Sequence, residues 1–441
     1  MRGFLQTEYV HMGIEKKRLI VIGGGAAGIF CAVNAARLNP AFAVTVLEKT
    51  GKLLSKVKVS GGGRCNVTNA CDDIAEMAKK YPRGQHFVKK AFYKWFTTDT
   101  KQWFEERGVP LKDESDGRVF PVSDSSQSVI DCLLREAGST GVDILMKADV
   151  ARIEVVRIEV GGEPDAGGWE SKTEAEQPDT RFKVHLSDGR VFPADYVCIA
   201  SGGDAKSAMG ATILGLGHSM ESPVPSLFTF NMPGHTINQL MGVAVPDVQV
   251  KVIGSKLQER GPLLITHWGL SGPVVLRLSA WGARELAAGN YQFRILVNWV
   301  PAYKEQTARE RFQELRFDWA AQKVGTRNPF GLPMRLWEYL LTAAGIGQDT
   351  RWADLPVKEQ NKLVTLLCAG EFTVKGKTTF KEEFVTAGGV RLGEVDPNTM
   401  QSRKVPGLFF AGEILDVDGI TGGFNFQHAW TSGWIAGHLG E

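Results

Sequence analysis

The sequence predicts an α/β fold: a parallel sheet wrapped by helices, padded by a small β-meander and interrupted by a long insertion. Three observations predict it. A strand, glycine turn, helix and strand follow one another near the start, a strand feeding a helix closes the chain, and the middle passes from strand-rich to helix-rich composition.

Length and charge set the frame. At 441 residues with 43% hydrophobic content, the chain has material for two or three buried cores. Lysine plus arginine (51) nearly cancels aspartate plus glutamate (49), so neither a nucleic acid nor an anionic membrane is expected as a partner. Six cysteines without any Cys-x-x-Cys pair argue against a disulfide framework and a zinc cluster, and no metal constellation is visible. With no signal-peptide core and no apolar run of about 18 residues, the expected location is the cytoplasm. Residues 1–16 read as a flexible extension.

The first element in order is "RLIVIGGGAAGIFCAVNAARLNPAFAVTVLEK". Arg18 to Ile22 is a short apolar strand, Ala26 to Leu38 is helical in composition, and Ala43 to Leu47 is a second strand. Gly23, Gly25 and Gly28 match G-x-G-x-x-G, with Ala26 and Ala27 opening the helix. In that pattern the first glycine makes the turn, the second admits a pyrophosphate and the third lets helix and strand pack. The helix N-terminus then faces phosphate with unpaired amides and a positive dipole. Glu48, 20 residues after Gly28, ends the second strand where a carboxylate accepts from ribose hydroxyls, and Lys49 follows it. The unit predicts dinucleotide binding without deciding between FAD and NAD.

The second element, "SGGGRCNVTN", places three glycines just beyond the adenosine end. Gly61, Gly62 and Gly63 are expected to bring backbone amides to the far end of the ligand, with Arg64 and Asn66 as side-chain donors. Cys65 and Cys71 have five residues between them rather than the four of flavin-linked redox pairs, so Cys65 is expected as a single packed or ligand-adjacent thiol. Next, Ala148 to Val160, which includes Val150, and Arg181 to Leu186 read as a meander around a polar exposed loop. The strand Tyr196 to Ala200 then delivers Ser201, Gly202 and Gly203 to a strand end, where cofactor crevices lie.

The insertion reads as strands from Val243 to Val300 and helices from Thr307 to Ala369. The closing element is "VPGLFFAGEILDVDGITGGFNFQHAWTSGWIAGHLGE". A strand at Gly407 to Ala411 turns at Gly412 and Glu413, and a helix spans Asn425 to His438 behind Gly422, Gly423 and Phe424, with Asp418 between. Glu413 suits a hydroxyl of a ribityl chain or a ribose, and an NAD-binding half has no ribityl group to hold. A helix N-terminus behind glycines suits the negative charge of a reduced flavin, so FAD is the expected cofactor.

With these residues in view, the chain resembles the YhiN-like, BaiN-like family of FAD-binding proteins, which includes enzymes described as aminoacetone oxidases and a bile-acid reductase. The motifs "VIGGGAAG", "SGGGRCNVTN", "LLITHWGLSGPVVLRLS", "FTVKGKTTFKEEFVTAGGV" and "GLFFAGEILDVDGITGGFNFQHAW" carry the resemblance from Arg18 to Leu439. It implies an FAD-binding Rossmann-like domain formed by residues 17–215 and 371–441, around an inserted β-barrel at 216–305 and a helical bundle at 306–370. It places Gly23 to Gly28 and Glu48 on the ADP half, Arg64, Cys65 and Asn66 beside the flavin, and Glu413 on its sugar chain. Gly422, Gly423 and Asn425 close over the ring. Phe424 departs from the tyrosine common in the family.

The expected activity is that of an FAD-dependent oxidoreductase acting on a small organic substrate. An NAD(P)H-dependent flavin reductase of an unsaturated carbonyl is the alternative, and a non-catalytic FAD-bearing accessory protein the third reading. Because "DAKSAMGATILGLG" after Gly203 does not repeat the dinucleotide pattern, NAD(P)H is expected only as a transient electron donor. His267 and His428 are the acid/base candidates. Substrate, electron acceptor and oligomeric state stay open.

Overall fold

The computed structural model describes residues 16–157, 180–203, 208–378 and 385–440. Most of the N-terminal extension and the polar loop of the meander lie outside the described residues.

Strand β1 (Arg18–Ile22), helix α1 (Ala26–Leu38) and strand β2 (Ala43–Glu48) form the opening unit. The strands are apolar because both their faces are covered, as in parallel sheets generally. The sheet has five parallel strands in the order Leu408–Phe410, Tyr196–Ile199, β1, β2 and Asp143–Met146. First, middle and last parts of the chain therefore supply three adjacent strands, the last of them at the sheet edge. The meander joins Val150–Arg157, Thr180–Leu186 and Val191–Ala194 in antiparallel pairs.

Helix α1 is buried continuously from Ala27 to Ala36, because the sheet covers one face and the C-terminal helix Phe424–Gly437 another. Two glycines permit that approach. A Cβ on Gly433 would lie 2.6 Å from the Ala27 carbonyl oxygen, and one on Gly437 would lie 3.0 Å from the Cys31 carbonyl oxygen. A side chain at Gly433 would clash, and one at Gly437 would need its neighbour to shift.

The chain leaves this body through Met220–Ser226 and returns through Val385–Val390, which pair antiparallel. Between them a seven-stranded sheet runs from edge strand Gly370–Lys375 to edge strand Lys377–Thr378. Those two edges are consecutive in the chain through Gly376, so the sheet curls back on itself as a barrel does. Helices Glu305–Asp318, Met334–Ala344 and Val357–Ala369 follow the expected helical runs. This insertion has its own apolar core, with Trp299, Trp337 and Trp352 fully buried.

One difference from the sequence reading is helix Pro273–Trp281 inside the strand-rich stretch. Its β-branched "PVV" start disguises it. Proline at the first helical position, where its missing N–H costs nothing, starts it.

Candidate functional site

Three neighbouring strands end at one crevice. Gly23 follows β1, Ser201 follows Tyr196–Ile199 after Ala200, and Gly412 follows Leu408–Phe410 after Ala411. Carboxyl ends of parallel strands at such a point are where open α/β sheets bind ligands.

At the first of these ends each glycine has a separate reason. Gly23 has φ +114°, and a Cβ on it would sit 2.4 Å from the Ala200 carbonyl oxygen. A Cβ on Gly28 would meet the Gly23 carbonyl oxygen at 2.0 Å. Gly25 is different: it caps α1, and a Cβ there meets nothing within 4 Å. No side chain caps this helix start and its first turn holds no acid, so the amides of Gly25, Ala26 and Ala27 form an open anion cradle.

Glu48 is buried beside it. The Gly24 amide donates to one carboxylate oxygen at 2.8 Å and the Thr50 amide to the other at 2.7 Å. Both oxygens keep further acceptor capacity. Lys49 is exposed, and Val150 is buried just beyond Ala148, whose amide donates to the Glu48 carbonyl at 2.8 Å.

Helix α2 (Ser55–Gly63) starts from the same turn, with the Leu54 amide donating to the Gly24 carbonyl at 2.9 Å. It breaks at Ser60, and Gly61, Gly62 and Gly63 all take positive φ. Gly61 is crowded by Phe120, but Gly62 and Gly63 are open on their Cβ side. Cys65 is fully buried, and burial pushes its thiol up to about 12, so it stays protonated. All six cysteines are free. The Arg64 guanidinium donates to Glu114 at 2.7 Å and lies over the Phe120 ring, so its side chain is engaged by protein partners. Asn66 accepts from the Val119 amide at 3.3 Å.

The closing segment meets this loop. Asn69 Nδ2 donates to the Gly422 carbonyl at 2.9 Å, Thr68 Oγ1 donates to Gln427 Oε1 at 2.6 Å, and Trp430 Nε1 donates to the Val67 carbonyl at 2.9 Å. A Cβ on Gly423 would lie 2.2 Å from the Thr68 carbonyl oxygen, which only glycine allows. Phe424 is buried, and its carbonyl accepts from the Tyr81 hydroxyl at 2.6 Å.

Gly412 has φ +74°, and a Cβ on it would touch the Ala27 side chain at 2.7 Å, so the third strand end abuts the first turn of α1. Glu413 accepts from the Thr386 amide at 2.7 Å and from Lys56 Nζ at 2.5 Å. Gly202, with φ +83°, faces the Glu413 carboxylate, whereas Gly203 packs against Thr386. Lys56 and Thr386 were not singled out in the sequence, because only the tertiary fold brings them to Glu413.

Other candidates have structural partners. Asp418 is fully buried in a two-pronged ion pair with Arg83 and accepts from Ser226 Oγ at 2.8 Å, while burial pushes its carboxyl up. It ties the closing segment to the insertion. The Asn425 side chain closes the loop before its helix, accepting from the Gly419 amide at 2.8 Å and donating to the Gly419 carbonyl at 2.9 Å. His428 is buried, its Nε2 donating to the Gly412 carbonyl at 3.2 Å, and burial pushes it down to about 4. A neutral imidazole behind Glu413 positions that turn. His267 is exposed on the Thr266–Gly269 turn, its ring 4.1 Å from Trp268.

These residues fit an FAD: an open helix N-terminus for the diphosphate, a fixed carboxylate at the ribose end, and a glycine loop under a second helix N-terminus at the other. The profile of the HI0933-like protein Rossmann domain matches residues 17–439. The chain belongs to this family. As a member of the HI0933-like Rossmann family it is an FAD-dependent oxidoreductase.

Two relatives match over nearly their whole length. One is described as a 3-dehydro-bile acid delta(4,6)-reductase from Clostridium scindens, 29% identical, covering 95% of this chain and 98% of the relative. Another is described as a ribosomal RNA dihydrouridine synthase from Escherichia coli, 30% identical, covering 96% of this chain and 97% of the relative. Among solved structures, a flavocytochrome c3 fumarate reductase in its open conformation aligns with a TM-score of 0.48 at 18% identity, covering 97% of this chain and 78% of that one. No helix among the described residues is long and apolar enough to cross a membrane.

Proposed function

We propose that this chain uses reduced FAD to add hydrogen across a carbon–carbon double bond conjugated with a carbonyl, with NAD(P)H as transient electron donor. One observation carries it. The names of two full-length relatives, a delta(4,6)-reductase of a 3-dehydro bile acid and a ribosomal RNA dihydrouridine synthase, describe the same bond change on different rings. When bound, reduced FAD supplies the hydride for the carbon distal to the carbonyl.

The chain's own residues bind and orient. The amides of Gly25, Ala26 and Ala27 hold the diphosphate, Glu48 accepts from the adenosine ribose, and Glu413, beside Gly202, accepts from the sugar chain of the flavin. Gly62, Gly63 and the amides behind Gly422 and Gly423 approach the ring, where the positive end of helix Phe424–Gly437 favours negative charge. Arg64, Cys65, Asn66 and Asn425 shape that loop through their protein contacts. Residues 17–215 with 371–441 form the FAD body, with the barrel at 216–305 and the bundle at 306–370 as the substrate side. The cytoplasm is the proposed location, supported by six free thiols.

The test is anaerobic. Purified holoprotein is reduced with NADH or NADPH, then offered a 4-en-3-oxo steroid in one arm and a uridine-bearing ribosomal RNA transcript in another. Flavin reoxidation together with a product gaining two hydrogens is expected in one arm. Reduced flavin that neither arm reoxidises would overturn this reading.

A further inference from the structure

Near-neutral net charge conceals one strongly asymmetric segment. Between Met77 and Thr98 the chain carries Lys79, Lys80, Arg83, Lys89, Lys90 and Lys94 and no acidic residue. The segment spans part of helix α3 (Ile74–Ala78) and all of helix α4 (Gln85–Phe92), which pack on each other.

Its position is specific. The Ile420 amide donates to the Lys80 carbonyl at 3.0 Å, Arg83 pairs with Asp418, and the Tyr81 hydroxyl donates to the Phe424 carbonyl. The basic segment thus borders the loop that leads into Gly422 and Gly423. Arg83 is used up by Asp418 and Lys79 is paired with Glu76, but Lys80, Lys89, Lys90 and Lys94 make no ion pair among the described residues.

Two features select the polyanion. Phe87, Val88, Ala91 and Phe92 bury the apolar face of α4 in the protein, leaving no hydrophobic anchor for a bilayer. Tyr93 is 71% exposed between Lys90 and Lys94, and an aromatic face among cations is what stacks on an unpaired base. We infer that this face docks RNA and delivers a base to the neighbouring site. The chemistry that follows docking rests on the reduction proposed above.

The experiment uses holoprotein with bound FAD. Anisotropy of a labelled ribosomal RNA transcript is titrated at several salt concentrations for wild type, for a K89Q/K90Q/K94Q triple variant and for Tyr93→Ala. At roughly 0.1 M salt the triple variant is expected to bind about tenfold or more weakly, with a log–log salt slope shallower by about 2. Tyr93→Ala is expected to lose about fivefold or more. FAD content, thermal midpoint and flavin reduction by NAD(P)H should not change in either variant.

Wild type that fails to bind RNA, or a triple variant with unaltered affinity and slope, would overturn the docking surface. So would lysine-dependent binding to phosphatidylglycerol vesicles with no effect on RNA. The two proposals fail separately. Double-bond reduction without lysine-dependent RNA binding removes only the docking, whereas lysine-dependent binding without reduction of any double bond removes only the chemistry.

Discussion

Asn69 Nδ2 donates to the Gly422 carbonyl at 2.9 Å, fastening the glycine loop of the first third of the chain to the glycine pair before the last helix. Neither partner is near the other in sequence, and both lie at the flavin end of the proposed site. Asn69→Ala leaves the Gly422 carbonyl without this donor, at a cost of about 1 kcal/mol. FAD affinity, read from the recovery of free-flavin fluorescence on dilution, should fall about fivefold. Unchanged affinity would separate the clasp from cofactor binding.

Gly25 and Gly28 belong to one motif but should fail differently. Gly28→Ala drives a methyl group into the Gly23 carbonyl, so loss of soluble protein or a lowered thermal midpoint is expected. Gly25→Ala has open space and an extended backbone, so the apoprotein should keep its midpoint. It should lose FAD, because the methyl group occupies the diphosphate cradle. Equal loss of midpoint in both would contradict the assignment.

How much of this was legible in the sequence follows from the kind of contact involved. The opening strand–helix–strand unit, Glu48 and the strand-end glycines were readable because local pattern fixes them. The meeting of "SGGGRCNVTN" with "GITGGFNFQ" was expected from the shape of one elongated ligand, and hydrogen bonds from Thr68 and Asn69 join them here. Side-chain partners were not readable. Arg64 looks like a flavin donor until Glu114 arrives from another hairpin, and Asp418 looks like a cofactor ligand until Arg83 takes it. Lys56 and Thr386 carry no motif at all and matter only through Glu413. The basic run of α4 was averaged away by the net charge.

His428 gives the fold an acid-sensitive component. Burial lowers the folded-state imidazole from the ordinary 6.5 to about 4. Protonation therefore favours the unfolded chain. The contribution is fully present above about pH 6.5 and is lost as pH falls toward 4, at about 1.4 kcal/mol per pH unit. His428→Gln can keep the donor to Gly412 without titrating. The stability difference between wild type and this variant, from urea unfolding, should shrink across that window; parallel curves would contradict it.

Cys65 should be chemically silent. With its thiol pushed up to about 12 and fully buried, iodoacetamide at pH 8 should leave it unmodified in the native protein and label it after denaturation. Cys65→Ser should still allow the flavin to be reduced by NAD(P)H. Rapid native labelling, or loss of flavin reduction in the variant, would reopen a thiol role.

The most direct measurement is FAD affinity in Glu48→Ala and Glu413→Ala, compared by equilibrium titration of the apoproteins. Each carboxylate is held by a backbone amide at 2.7 Å, at opposite ends of the proposed site. If both grip one molecule of FAD, each substitution should weaken binding about tenfold or more. Wild-type affinity in either variant would contradict a cofactor clasped by both ends of the chain.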